Sequence, residues 1–416
     1  MKLLKWFYPG MRIKRWIAFT IFGIVLLSMG FVIVISEEKG EASFGTSILV
    51  IVGILIVIIG VKRIINSLIT IFLPNTDKEL VDIVYKKRQL ERGARIVAIG
   101  GGAGLAAILR GLKEFTNNIT AVVTLVDEGL IAGGIADEFG IPHPSDIRDC
   151  LIALADAEPI VGRLFNYRFK KGTELWGHNF GDLFLAAMSD ITGDFDKALN
   201  ESSRVLAVRG QVVPSTLSKI SLIAQHEDGT ETIGKQNILH SLSPIKKLYI
   251  RPQLAKATKE AVDAIAKADA IILGPGSFYT NVMPALMIEG IRTGIISSKA
   301  AKIYILNIMT EAGETDNYKA SSYLKVVNEQ LGKNIIKYCL VNKEVLSKEQ
   351  FKNYEQEGAS PVLVDKDEVS LLGCEVIEDF LVDKKSQFAR HDAYKTASIV
   401  SGLISESKKV KAHAKH

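Results

Sequence analysis

Four glycines, Gly100, Gly101, Gly102 and Gly104, separate the apolar run Ile96 to Ile99 from a helix-forming stretch, Leu105 to Phe115. A loop without Cβ atoms lets the backbone approach a diphosphate, whose charge then faces the free N–H groups at the start of the helix. On its own the cluster reads equally as the tight strand-to-helix turn of any α/β protein. Asp127 follows a second apolar run, Ile119 to Val126, about as far from the glycines as the ribose-binding carboxylate of a dinucleotide fold. A turn or capping aspartate would have the same spacing, and the loop reads G-G-G-x-G where the dinucleotide fingerprint reads G-x-G-x-x-G. A third apolar run, Ala270 to Leu273, ends in Gly274-Pro275-Gly276-Ser277, a turn able to present N–H groups and a hydroxyl to an anion. Tyr279 next to it could stack on a base or donate its hydroxyl.

Other polar groups lie at strand ends or helix starts. Asn307 is followed by Thr310, Gly313, Glu314, Thr315 and Asp316. His178 and Asn179 precede the apolar helix from Leu183; they read as caps, or His178 as a phosphate contact or an acid–base group. Ser145 or Asp146 reads as the cap of the helix through Leu154, with Asp146 and Arg148 as an ion pair or as ligand contacts. The chain shows no Ser-His-Asp series and no metal-ligand spacing, so no catalytic residue and no metal ligand is assigned.

These groups need strands whose carboxyl ends converge. From Arg95 onward β-rich runs alternate with helical ones, which predicts an α/β, doubly wound, mostly parallel sheet. Ligands settle in such sheets where strand order reverses. Further strands are expected at Lys302 to Asn307 and near Lys337 to Val341. Arg204 to Val213 and Ser221 to Ile233 read as an inserted antiparallel ribbon turning at Glu227-Asp228-Gly229. One compact domain over residues 95–405 is expected. A linker helix over 75–94 precedes it, and a disordered basic tail over 406–416 follows it.

The chain has 416 residues, 48% of them hydrophobic, a proportion high enough that part of it should leave water. The excess sits in residues 1–74. Trp16 to Ile35 and Gly45 to Val61 carry no charge; the spans built on them, about 16–36 and 45–63, each approach the ~20 residues that a helix needs to cross a bilayer, and a further apolar stretch, Ile64 to Leu73, could follow the interface. The first span is too long for a signal peptide, and a second follows at once. Basic residues before the first span and after the second, with an acidic bend between, predict a membrane hairpin with both termini and the main domain in the cytoplasm. No ionisable residue lies within Trp16 to Ile35 or Gly45 to Val61, which suits an anchor more than a transport path. Three scattered cysteines suggest neither a disulfide framework nor zinc, and a net charge of +5 gives no case for nucleic acid. A homo-oligomer is left open.

Taken together, AIGGGAGL at 98–105, NNITAVVTLVDEG at 117–129, DIRDCLIALAD at 146–156, GHNFGDLFLAAMSDITGDF at 177–195, LAVRGQVVPSTL at 206–217, GPGSFYTNVMPAL at 274–286, NIMTEAGETDNY at 307–318 and RHD at 390–392 resemble the YvcK/CofD family. The match is closest to its YvcK branch, the gluconeogenesis factors, and leaves the apolar hairpin outside it. The resemblance implies a Rossmann-like fold and binding of UDP-sugars, UDP-N-acetylglucosamine in particular. It also implies a role in growth on gluconeogenic carbon sources and in cell shape and envelope synthesis. The CofD branch implies an alternative: magnesium-dependent transfer of a phospholactyl-type group from a guanosine diphosphate donor to a deazaflavin. No other cofactor is implied. Ala103 stands where the family usually has threonine, and residues 130–134 replace two serines and an arginine, so the glycine backbone and the Gly274 to Tyr279 turn must carry more of the binding. A scaffold that has lost its ligand, and a dehydrogenase, are the remaining readings. The loop spacing and the lack of a catalytic pair disfavour the dehydrogenase.

Overall fold

The computed structural model describes residues 13–36, 44–72, 80–127, 139–171, 175–241, 243–355 and 358–413. The acidic bend and residues 128–134, both used in the sequence reading, lie outside them. The chain divides into two compact units, Met1–Lys87 and Arg88–His416.

In the first unit, α1 (Ile13–Ser36) and α2 (Phe44–Phe72) pack on each other. Stretches Arg15–Ile35 and Phe44–Ser67 are long and apolar enough to cross a membrane. The stretch from Ile64, read as able to follow the interface, continues α2 through Phe72. The helices run antiparallel: Arg63 lies 5.3 Å from the centre of the Trp16 ring, and Gly60 faces Thr20. A Cβ on Gly53 would come within 2.9 Å of Leu27, so the glycine is what lets the helices approach. The linker helix α3 runs from Leu80 to Glu91.

The second unit is built on a seven-stranded sheet in the order β10-β9-β8-β7-β1-β2-β3, with every pairing parallel. Its strands are β1 (Ile96–Gly100), β2 (Ile119–Val123), β3 (Gln211–Pro214), β7 (Ala270–Leu273), β8 (Ala301–Ile305), β9 (Tyr338–Asn342) and β10 (Glu375–Asp379). The central strands are near-continuous apolar runs because both faces are covered. Val97, Ile99, Ile271 and Leu273 enter one core, and Ile96, Ala98, Ala270 and Ile272 the other, as the period-two alternation of a strand requires. The edge strand β10 reads Glu-Val-Ile-Glu-Asp and is only half-buried.

The expected ribbon is corrected in part. Residues 221–233 do form a hairpin, β4 (Ser221–His226) with β5 (Glu231–Ile233), but its third strand is β6 (Ile245–Arg251). Arg204 lies in the last turn of a helix, Phe195–Val205, and Gln211 to Pro214 join the edge of the main sheet beside β2. The tail is also corrected: helix Ala393–His413 continues through most of it, and Lys408 Nζ reaches Asp269 at 3.1 Å. Apolar positions Ala397, Val400, Leu403 and Ile404 recur at helical spacing and bury the helix against the sheet core.

Helix α4 (Gly102–Leu112) packs against that final helix at Gly111, where a Cβ would stand 1.9 Å from the Ala393 carbonyl oxygen. A Gly111→Ala variant of the second unit is therefore expected to lose about 3 kcal/mol of stability, measured by chemical denaturation.

Candidate functional site

From β1 the chain proceeds to β2 and β3 on one side, and β7 to β10 lie on the other, so strand order reverses between β1 and β7. Both glycine-rich turns leave the carboxyl ends of these two strands, at the switch point where a crevice opens in a doubly wound sheet. Helix α4 begins at Gly102, three residues earlier than expected, which places Gly102 and Gly104 in its first turn. Gly102 has φ +65°, and Gly100 closes β1. The turns touch backbone to backbone. A Cβ on Gly104 would lie 2.7 Å from the Pro275 carbonyl oxygen, and one on Gly276 would lie 2.9 Å from that of Gly101. Asn307, just past β8, donates from Nδ2 to the Gly276 carbonyl at 3.0 Å and fixes the second turn.

Beside the two turns lies a cavity of about 260 Å³. Gly101, Gly104, Gly276, Ser277 and Asn307 line it, with Asn281, Glu311, Arg390 and His391. Arg390 is exposed at this cavity, and His391 is 8% exposed. Burial holds the His391 imidazole down to about 4, so it is neutral at pH 7.

Three donors of the Gly274 to Tyr279 turn are engaged by carboxylates of the chain. Ser277 Oγ donates to Glu311 Oε1 at 2.9 Å, and the Phe278 N–H donates to Glu311 Oε2 at 3.1 Å. The Tyr279 N–H donates to Glu314 Oε2 at 3.1 Å. A carboxylate thus sits where the sequence suggests an anion. Tyr279 itself is 5% exposed, shares its hydroxyl with Tyr318 at 2.7 Å and meets Phe278 edge-on; it buttresses the turn from the core and does not line the cavity. Its hydroxyl is held protonated by burial and by Tyr318.

A second carboxylate approaches the first turn. Asp146 Oδ2 would lie 2.7 Å from a Cβ on Gly101, and it pairs with Lys235 Nζ at 2.8 Å. Both side chains are buried, so each charge needs the other. The cap expected at Ser145 or Asp146 is therefore not formed: Pro144 precedes the helix Ser145–Leu154 and Asp146 turns to the lysine. Arg148 pairs with Asp182 at 2.7 Å and with Asp149 at 3.4 Å.

Three expected residues stand apart from the cavity. Asp127 lines a separate hollow of about 190 Å³ and accepts from Ser221 Oγ at 3.5 Å. Its carbonyl accepts from the Lys235 N–H at 3.0 Å, so Lys235 links it to Asp146. Asn179 makes no side-chain cap; it donates to Asp182 Oδ2 at 3.3 Å. His178 lies in the segment that pairs with Phe169, its carbonyl accepting the Phe169 N–H. Lys235, Asn281 and Glu311 escaped sequence reasoning. Lys235 follows an unremarkable ribbon, Asn281 sits in the quoted Gly274 to Leu286 motif, and Glu311 sits beside the polar group after Asn307. Arg390 and His391 were visible only as a motif without a role.

The sequence matches, over residues 96–382, the family described as 2-phospho-L-lactate transferase CofD. The chain belongs to the CofD/YvcK family. The gluconeogenesis factor of Bacillus subtilis is 43% identical over 312 residues, covering 75% of this chain and 98% of its own length. A relative from Clostridium acetobutylicum is 38% identical over 421 residues and covers 98% of this chain, so that alignment includes the apolar helices. A crystal structure of a Bacillus halodurans protein aligns with TM-score 0.71 at 41% identity, over 74% of this chain and 99% of that one. Likeness within the family therefore extends to the apolar region in some relatives and not in others.

Glu311 and Glu314 give the turn a pH signature. Burial raises both carboxyls above their ordinary value of 4.5, and for Glu314 the charge of Glu311 adds to it. A carboxyl raised in the folded state costs stability once pH exceeds its unfolded value, by about 1.4 kcal/mol per pH unit up to the folded value. Glu314→Gln keeps the acceptor for the Tyr279 N–H and removes that cost. It is expected to raise the Tm at pH 7, with the gain shrinking towards zero as pH falls to 4, as followed by thermal melts across that range.

Proposed function

We propose that this gluconeogenesis factor homologue is a membrane-anchored regulator that binds a nucleotide sugar, of the UDP-N-acetylglucosamine kind, at the β1/β7 crevice on its cytoplasmic side. The observation that carries the reading is the cavity beside the two glycine turns at the switch point, with an exposed arginine among its lining residues. Gly101 to Gly104 bring the amino end of α4 to the crevice, which favours a phosphate by its N–H groups and dipole. Arg390 supplies a cation for the diphosphate, in a form suited to bidentate contact. Asn307 orients the second turn, and neutral His391 offers hydrogen-bonding capacity without charge. Because Glu311 holds Ser277 and Phe278, the ligand takes its anion contacts chiefly from the α4 side and Arg390. The α1 and α2 hairpin is the anchor; the name gluconeogenesis factor borne by relatives supports a role in gluconeogenic growth, and a role in cell shape is what the family resemblance implies.

The family description favours a second reading, transfer of a phospholactyl-type group from a guanosine diphosphate donor to a deazaflavin with magnesium. That reading requires magnesium-dependent product from those two substrates.

Isothermal titration of residues 88–416 with UDP-N-acetylglucosamine tests the first reading. Saturable heat is expected, and Arg390→Ala should weaken affinity by about tenfold or more, the loss of one charge-assisted hydrogen-bonding group. Absence of heat at millimolar ligand from the folded protein would sink it, and product formation in the guanosine assay would install the transferase in its place.

A further inference from the structure

A second hollow, of about 230 Å³, adjoins the cavity at the glycine turns. The two share Asn307 and Ile308, so they lie side by side along the carboxyl ends of the strands, the second towards β9. Its walls are segments that the fold pairs. The Val362 N–H donates to the Ile308 carbonyl at 3.0 Å and Met309 bridges to Pro361, which holds residues 361–364 against the chain leaving β8. At the end of β9, Asn342 donates from Nδ2 to the Glu344 carbonyl at 3.0 Å, and its Oδ1 accepts the N–H groups of Glu344 at 3.1 Å and Leu381 at 3.0 Å. Asn342 thus fixes the turn that carries Glu344.

The lining is mostly apolar, with Val345, Leu346, Pro361, Val362 and Val364 in it, and Glu344 is its charged member. The Glu344 side chain is 14% exposed, and its Oε1 meets Lys384 Nζ at 2.9 Å. Its Oε2 is buried and has no hydrogen-bond partner among the described residues. A buried acceptor left unpaired costs free energy until a donor reaches it. Lys384 already balances the charge, so the complementary group is a neutral donor, and the walls call for a short apolar substituent beside that donor. An acylamino group combines the two. A bare hydroxyl would also reach the carboxylate but would leave the apolar walls facing water. A uracil imide N–H lies between two carbonyl oxygens, which the same carboxylate would repel.

We propose that this hollow receives an acylamino substituent of the ligand bound in the neighbouring crevice, its amide N–H donating to Glu344 Oε2 and its acyl carbons lying against Leu346, Val362 and Val364. The inference rests on the nucleotide-sugar reading and deepens it, since it makes the hollow the place where N-acetylated sugars are told from plain ones.

The test uses residues 88–416, a compact unit; a Bacillus halodurans crystal structure matches this chain over 99% of its own length without needing the remainder. The fragment and two variants are titrated calorimetrically with UDP, UDP-glucose and UDP-N-acetylglucosamine. The unaltered fragment is expected to bind UDP-N-acetylglucosamine about tenfold more tightly than UDP-glucose, the scale of one small apolar group entering a fitted pocket. Val362→Phe, which fills the hollow, should bring that ratio close to one with UDP and UDP-glucose unaffected. Glu344→Leu, which keeps the wall and removes the acceptor, should weaken UDP-N-acetylglucosamine about tenfold and leave UDP unchanged. Unchanged UDP affinity also reports that each variant is folded. Equal affinities for the two sugars in the unaltered fragment overturn the inference, as does a ratio that survives Val362→Phe. Equal weakening of UDP by either folded variant, with circular dichroism unchanged, places the base or diphosphate in the hollow and overturns it too. Those results leave the nucleotide-sugar site standing, whereas no heat from any of the three ligands removes that reading and this inference with it.

Discussion

The backbone contact between the two glycine turns is the constraint on which the site depends. Gly104 lies against the Pro275 carbonyl and Gly276 against that of Gly101, at distances no side chain could share. This contact joins the carboxyl ends of β1 and β7 where strand order reverses, and it leaves the cavity beside them. Gly104 and Gly276 therefore act first as packing residues. What they offer a ligand follows from the geometry that their packing creates.

Electrostatics at the crevice is dominated by carboxylates. Asp146 stands beside the first turn, balanced by buried Lys235, and Glu311 takes two donors of the second. Each fills a position where a bound phosphate would otherwise be the natural partner. Such an arrangement keeps buried donors satisfied, and among the residues lining the cavity it leaves the Arg390 guanidinium as an exposed cation. The aromatic cluster of Phe278, Tyr279, Tyr318 and Tyr323 stiffens the second turn from behind, in place of the base-stacking role its sequence position suggests for Tyr279.

The two units dispose their apolar residues differently. In the first, glycines at positions 23, 53 and 60 set helix proximity, and large apolar side chains such as Phe31 and Ile58 point outward. In the second, apolar residues of the strands turn inward onto both faces of a sheet. Relatives that match only the second unit show that the sheet and its crevice stand as a fold without the first.

Sequence alone determined the class of the fold, the apolar hairpin and the strand ends that meet at the crevice. These rest on local signals: unbroken apolar runs for doubly covered strands, glycine at the turns, and spans of bilayer length. Helix starts and the ribbon were less legible, because Gly102 to Gly104 can be loop or first helical turn, and Gln211 to Pro214 suits either sheet. Tertiary structure decided which polar groups meet. Lys235 and Asp146 are 89 residues apart, Ser277 and Glu311 34 apart, and no local pattern announces either pair. Spacing along a chain fixes neighbours within one helix or strand, whereas the partner of a buried charge is chosen by the sheet order that brings distant strand ends together.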